Sequence, residues 1–224
     1  MLGQQMFKSR NSWKAVIASK DTNPEVVDQL QVFRKKLFVD ILRWNLSVID
    51  NREIDQFDTS DALYCAVYLN DRLVGGFRAI RGDYPYLAER VFPQFATLRA
   101  FPRRADVFEI SRFGIDPDCG GSNAAMIVYG TMIRFAQARR ASSLVALVDL
   151  NHERLLRIIG IHTRRYGPPQ VVGMDLSNRE LTAVAGEIPL NDQRTPEFTK
   201  LLNLASTVEI TDETLVLGRA VVSA

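Results

Sequence analysis

Histidine and cysteine are scarce in this chain of 224 residues, with two of each. That scarcity removes much chemistry at once. His152-Glu153 runs on into Arg-Leu-Leu, so the HExxH spacing of a zinc hydrolase is missing, and nothing calls for a metal. Cys65 and Cys119 form no CxxC pair; Cys65 reads as strand core and Cys119 as a loop thiol, which suits a reducing compartment. A GxSxG nucleophile elbow is absent, as are a GxGxxG after a first strand and a GxxxxGK[ST] loop. Serine-hydrolase, Rossmann and P-loop readings therefore have no anchor. Net charge is only +2 and no long basic helix occurs, so no nucleic-acid partner is expected. No run of about eighteen apolar residues is present, and Met1–Lys20 lacks the apolar core of a signal peptide. The expectation is a soluble, cytoplasmic protein with no membrane partner.

What is present is an ordinary globular composition, 46% apolar and 24% charged, suited to a single α/β domain over residues 1–224, with residues 1–20 as an N-terminal extension. "NPEVVDQLQVFRKKLFVDIL" carries apolar residues at helical period and predicts a helix over 24–41, with Pro24 in its first turn. "ALYCAVYL" and "RLVGGFRAI" flank Asn-Asp and predict a hairpin, in which Gly75–Gly76 mark a bulge or a close backbone approach. "DVFEISRFGI" predicts a strand. Plain alternation puts Glu109, Ser111, Phe113 and Ile115 on one face of it, and Phe108, Ile110 and Arg112 on the other.

"GGSNAAMIVYGTMIRFAQARR" predicts a helix behind a Ser/Asn cap, with Met126, Tyr129, Ile133 and Ala136 facing inward. "SSLVALVDL" reads as a central strand and "HERLLRIIG" as a short helix ended by Gly160. His152 reads as a surface residue at that helix start, and His162 as a loop residue. Past Pro168–Pro169, "VVGMDL" and "TLVLGRAVV" read as strands and "PEFTKLLNLA" as a helix. This order points to an α/β, three-layer sandwich with a mixed central sheet.

The most informative stretch is "DNREIDQFDTSDALYCAVYL". It crowds Asp50, Glu53, Asp55, Asp58 and Asp61 against the start of a buried strand. Carboxylates there are costly unless paired, and Arg34, Arg78 and Arg112 stand on neighbouring elements. The plain alternative is a structural network of Asp–Arg pairs. The set as a whole, with Phe38, Trp44 and Phe113, suits a zwitterionic ligand carrying a sulfonium: aromatic faces attract cations, arginines grip carboxylates and carboxylates hold an ammonium.

Taken in order, Arg34, Phe38, Trp44, "EIDQFD" with Asp55 and Asp58, Arg78, "YLAERVFP" with Phe92, and "FEISRFGIDP" with Glu109 and Arg112 resemble the LuxI family, the acyl-homoserine lactone synthases of quorum sensing. The resemblance spans roughly residues 24 to 165. It implies a GNAT-like acyltransferase architecture and a two-step reaction. S-adenosylmethionine, a consumed substrate and not a cofactor, gives its amine to an acyl thioester on acyl-carrier protein or CoA. Its carboxylate then closes the lactone and expels methylthioadenosine. Under that reading Glu109, Ser111 and Arg112 form the catalytic group, with Glu109 as general base. Arg34, Phe38, Trp44, Asp55, Asp58, Arg78 and Phe113 form or brace the S-adenosylmethionine pocket.

Met126, Tyr129, Leu147, Val148 and Leu150 are candidates for the acyl tunnel, with plain core packing as the alternative. The family's 3-oxo synthases tend to carry a hydroxyl residue at the position of Val148, so the resemblance implies an unsubstituted chain. Arg134, Arg139, Arg140, Arg154, Arg157, Arg164 and Arg165 could dock an acidic carrier, or simply form a solvated face. The loop "DCGGSN" could offer backbone N–H groups to a pantetheine phosphate. Two rivals stay open: a GNAT-like transferase acylating another amine from acyl-CoA, and a non-catalytic binding module.

Overall fold

The computed structural model describes residues 11–119 and 122–215. In chain order its elements are β1 (Trp13–Ala18), α1 (Pro24–Arg34), a π-helical turn (Lys35–Ile41), β2 (Val48–Ile49), β3 (Arg52–Glu53), β4 (Leu63–Leu69), β5 (Arg72–Arg81), α2 (Leu87–Val91) and β6 (Val107–Ile115). There follow α3 (Ser122–Ala138), β7 (Ser143–Asp149), α4 (Leu150–Ile158), β8 (Arg164–Arg165), β9 (Gln170–Met174), β10 (Glu180–Pro189), α5 (Pro196–Ala205) and β11 (Glu209–Asp212).

The main sheet runs β11-β1-β4-β5-β6-β7-β10-β8, with β9 also on β10. It is mixed: β1/β11 and β6/β7 are parallel, the other pairs antiparallel. One apolar layer joins the sheet to α1 and α2 through Val27, Leu30, Phe33 and Ala88. The other joins it to α3, α4 and α5 through Ile127, Met132, Leu156 and Leu201. The expected three-layer sandwich is what forms.

Several expectations need correction. Trp13–Ala18, read as part of an extension, is an interior strand paired with both β4 and β11. Its two buried faces, Ala15 and Ile17 against Val16 and Ala18, leave no alternation to signal a strand. The helix over 24–41 stops being α-helical at Arg34 and continues as the π turn, where Leu42 N–H reaches Leu37 C=O at 2.9 Å and Trp44 N–H reaches Phe38 C=O at 2.8 Å. Strands β10 and β11 had no sequence reading. Most of "TLVLGRAVV", from Val216 onward, and the Gly120–Gly121 part of "DCGGSN" lie outside the described residues.

The predicted hairpin forms, with Asn70 and Asp71 both at positive φ (50° and 63°). At Gly76 a Cβ would lie 2.3 Å from the Cys65 carbonyl oxygen and 2.6 Å from Leu30, so the close approach predicted there is real. Cys65 is buried in β4, and Cys119 lies in a loop.

Candidate active site

Plain alternation fails in β6. Arg78 pairs with Ser111 and Gly76 with Gly114, so Arg112 and Phe113 together oppose one residue of β5. Arg112 takes the left-handed conformation (φ 53°), a strained state for a side chain of its size. The bulge turns Ser111 and Arg112 to the α1 face together and sends Phe113 to the α3 face. The sequence reading had Arg112 and Phe113 the other way round.

On the α1 face the bulge completes a charge cluster. Arg34 Nε donates to Glu53 Oε2 at 2.5 Å, and its two Nη groups donate to Asp58 at 2.7 and 2.9 Å. Arg78 grips Asp55 through both Nη groups (2.5 and 3.1 Å) and reaches Asp58 at 3.0 Å. Arg112 donates to Glu53 from Nε and Nη2, and its Nη2 forms an ion pair with Asp55 Oδ2 at 2.7 Å. Tyr64 O–H adds a bond to Asp58 at 2.8 Å.

Three arginines thus meet three carboxylates in bidentate geometry, a closed and neutral set. Burial alone would raise Asp58 and Asp55, but hydrogen bonds and charge from Arg34 and Arg78 outweigh it and hold both below the usual carboxylate range. Asp50 and Asp61 are exposed and stand apart. Glu53 and Asp58 are therefore fully occupied by arginines, and among the three clustered carboxylates only Asp55, also held by arginines, keeps a partly exposed edge. Sequence reasoning named Glu53 among the crowded acids but gave it no place in the site, where it bridges Arg34 and Arg112, and it gave Tyr64 no role beyond its strand. Their signals were in plain view: Glu53 opens "EIDQFD", and a tyrosine inside a buried strand needs a partner for its hydroxyl.

The cluster has a sealed end and a rim. The side chains of Arg34, Glu53 and Asp58 are at most 2% exposed, whereas Asp55 is 17% and Arg112 10% exposed. Among the described residues, Nη1 of Arg112 has no hydrogen-bond partner. Beside this rim, Phe38 and half-buried Trp44 stack with centroids 5.1 Å apart, and Phe38 comes within 3.4 Å of where a Cβ on Gly114 would stand. The π turn and the glycine set that aromatic pair next to Arg112.

Strands β6 and β7 pair only at Val107–Glu109 with Ser143–Val145, then run on without pairing to each other. The wedge between them opens at Glu109. That carboxylate is 1% exposed and accepts from Leu87 N–H (3.0 Å) and Ala88 N–H (2.7 Å) at the start of α2. Burial pushes it above the ordinary glutamate range, with the Ala88 N–H and the Arg78 charge opposing. Ser111 Oγ accepts from Arg78 Nε at 3.1 Å, which leaves its own O–H available as a donor.

The acyl candidates divide between the two sides of the wedge. Leu147 lies with the α1-side layer and pairs across the sheet with Ala185. Met126 and Tyr129 belong to the α3-side layer, where Leu144 places Val148 by alternation. Leu150 is not a strand residue at all: it begins α4 and is 42% exposed. Asp149 ends the strand by accepting from His152 N–H at 2.9 Å and capping the helix.

Phe113 does not join the charged face. It stacks on Tyr129 (4.4 Å) and meets His152 edge-on (5.5 Å). His152 is no surface residue; it is half-buried and hydrogen-bonded to Tyr129 O–H. His162 is in a loop, as read.

The basic residues proposed for docking also divide. Arg134 donates to Ala205 and Val208 carbonyls, Arg139 pairs with Asp212, Arg164 with Asp192 and Arg165 with Glu153. Arg140, Arg154 and Arg157 are exposed. A cavity of about 440 Å³ lies elsewhere, against Ser60, Arg81 and Arg139, and shares no side chain with the cluster.

Comparison with known proteins identifies the family. The family model described as autoinducer synthase matches residues 4–198. An acyl-homoserine-lactone synthase of Acinetobacter nosocomialis is 33% identical over 150 residues, covering 62% of this chain and 82% of that protein. One from Aeromonas salmonicida is 31% identical over 156 residues, covering 67% and 75%. Among solved structures, TofI in a ternary complex with an inhibitor and MTA shares 26% identity at a TM-score of 0.70, covering 87% of this chain and 99% of that one. In fold alone, the chain is similar to BjaI, a CoA-dependent acyl-homoserine lactone synthase solved with SAM and isopentyl-CoA (TM-score 0.76, 20% identity, 89% and 94% covered). It is likewise similar to a putative N-acetyltransferase from Lactobacillus plantarum (TM-score 0.53, 17% identity, 80% and 99% covered). With that family model matching most of its length, the chain belongs to the autoinducer synthases.

Proposed function

We propose that this enzyme makes an N-acyl-L-homoserine lactone from S-adenosylmethionine and an acyl thioester on acyl-carrier protein or CoA, releasing methylthioadenosine. The observation that carries the reading is one juxtaposition. The buried Glu109, the Arg112 rim of the charge cluster and the Phe38–Trp44 stack against Gly114 follow one another along the same face of β6, which parts from β7 after Glu109.

In this reading the Nη1 of Arg112 takes the methionyl carboxylate, Asp55 takes the ammonium, and Trp44 on Phe38 faces the sulfonium. Arg34, Asp58 and Arg78 act behind them, holding Arg112 and Asp55 in place. The thioester enters the wedge. Glu109 accepts an amine proton, directly or through a water; each of its oxygens keeps a second lone pair beside the α2 bonds, and burial raises its basicity.

Ser111 O–H donates to the acyl carbonyl oxygen as the amine attacks, and the thiol departs with a proton. The carboxylate oxygen then displaces methylthioadenosine from the γ-carbon. The sulfonium is already a good leaving group, so in-line positioning supplies most of this second step. No cofactor enters the reaction beyond the two substrates. Two unpaired cysteines, Cys65 and Cys119, fit a cytoplasmic setting.

Mass spectrometry of lactones from cells expressing the chain tests the reading. The matched comparison of acyl-CoA with acyl-carrier protein assigns the donor. A lactone whose appearance depends on the chain is expected. An acylated amine of another kind, without lactone, would replace this reading with ordinary N-acyl transfer.

A further inference from the structure

Sequence reasoning assigned no role to His152, and the reaction above uses neither it nor the hydroxyl of Tyr129. Yet the two are joined. Tyr129, on α3, is 2% exposed, and its O–H meets Nε2 of His152, in the first turn of α4. Asp149 caps that turn through the His152 N–H, and the half-buried imidazole lies against Tyr129 and Phe113. Phe113, the residue the bulge sends to this face, packs against both rings. β6 supplies Phe113 beyond the last β6–β7 pair. β7 supplies Val148, likewise beyond that pair and on the same side. The Tyr129–His152 pair therefore backs the wedge on its α3 side, where the nearby strand and helix residues Val148, Met126 and Phe113 bear no polar side-chain group except the Met126 thioether.

Burial holds His152 below the ordinary histidine range, with Asp149 opposing only in part, and pushes Tyr129 well above the ordinary tyrosine range. At neutral pH both are uncharged, which makes the pair a poor proton donor to a departing thiolate but a good hydrogen-bonding group. The count of donors is fixed by chemistry. If Tyr129 O–H donates to Nε2, Nδ1–H of His152 is left over; if Nε2–H donates to the tyrosine oxygen, the tyrosine O–H is left over. Either tautomer leaves one donor of the pair without a partner among the described residues.

We propose that the Tyr129–His152 pair is a specificity determinant that donates a hydrogen bond to an oxygen on the acyl chain, a 3-oxo or 3-hydroxy group, in the wedge between β6 and β7. The inference rests on the lactone-synthase reading. It also revises the expectation of an unsubstituted chain, which counted only the strand residues around Val148: the donor that β7 lacks comes from α3 and α4. An oxygen that sheds its water on entering the wedge would otherwise go unpaired, at about 1–3 kcal/mol.

The test compares kcat/KM for a plain thioester and its 3-oxo counterpart of equal length in wild type, His152→Phe and Tyr129→Phe, read as methylthioadenosine release. Both substitutions keep a ring against Phe113, and each supplies the answer if the other fails to fold. Wild type should use the 3-oxo thioester at least as well as the plain one, and each variant should lower the 3-oxo to plain ratio about tenfold. A ratio unmoved in the folded variants, or a wild type that rejects the 3-oxo chain, would overturn the proposal. Failure of the parent reading looks different: wild type would release no methylthioadenosine from either thioester.

Discussion

The two faces of β6 sit a strand's thickness apart and solve opposite problems. On the α1 face, Arg34, Arg78 and Arg112 meet Glu53, Asp55 and Asp58, and almost every donor is matched within the protein. On the α3 face, Phe113, Tyr129 and His152 pack as rings with a single hydrogen bond among them. The charged face is rigid because breaking any one pair strands a partner in low dielectric; the aromatic face is held by packing, where substitution is absorbed more gently. One bulge at Arg112 divides them. A charge network is thus a means of fixing the few groups left at its rim, and its buried majority need not touch substrate.

That contrast can be broken at its strongest point first. Arg34→Met leaves Glu53 and Asp58 short of their partner, and unfolding by urea should show a loss of about 3–5 kcal/mol, the scale of a broken buried pair. A loss under 1 kcal/mol would mean that the cluster relaxes into water and is not a brace. Next in size, Glu109→Gln should keep S-adenosylmethionine binding while amide formation drops about a hundredfold or more, the scale of a general base. Near-wild-type turnover would leave Glu109 only its structural bonds to Leu87 and Ala88. Smallest is the rim: Trp44→Ala should weaken S-adenosylmethionine binding by roughly 1–2 kcal/mol in calorimetry, as for a partly desolvated cation–π contact. Unchanged affinity would make Trp44 a packing partner of Phe38.

The same contrast explains what the sequence made legible. The charged face was readable because charge in an apolar setting is conspicuous: Arg34, Asp55, Asp58, Arg78, Glu109 and Arg112 were all named from it. What could not be read was geometry that period-two reasoning excludes. A bulge leaves no composition signal at Arg112 and Phe113, so both were put on the wrong face. The α3 face was illegible for a related reason, since a lone histidine at a helix start is ordinarily solvated, and only its burial against Tyr129 distinguishes His152. Strand β1 escaped because residues buried on both faces do not alternate.

The central claim is that one site joins two substrates in two coupled bond changes. It is tested most directly by following thiol and methylthioadenosine together, with purified protein, S-adenosylmethionine and an acyl thioester. The account predicts one methylthioadenosine for each thiol released, the thiol never trailing, and both lost in Glu109→Gln. Thiol released without methylthioadenosine would contradict it.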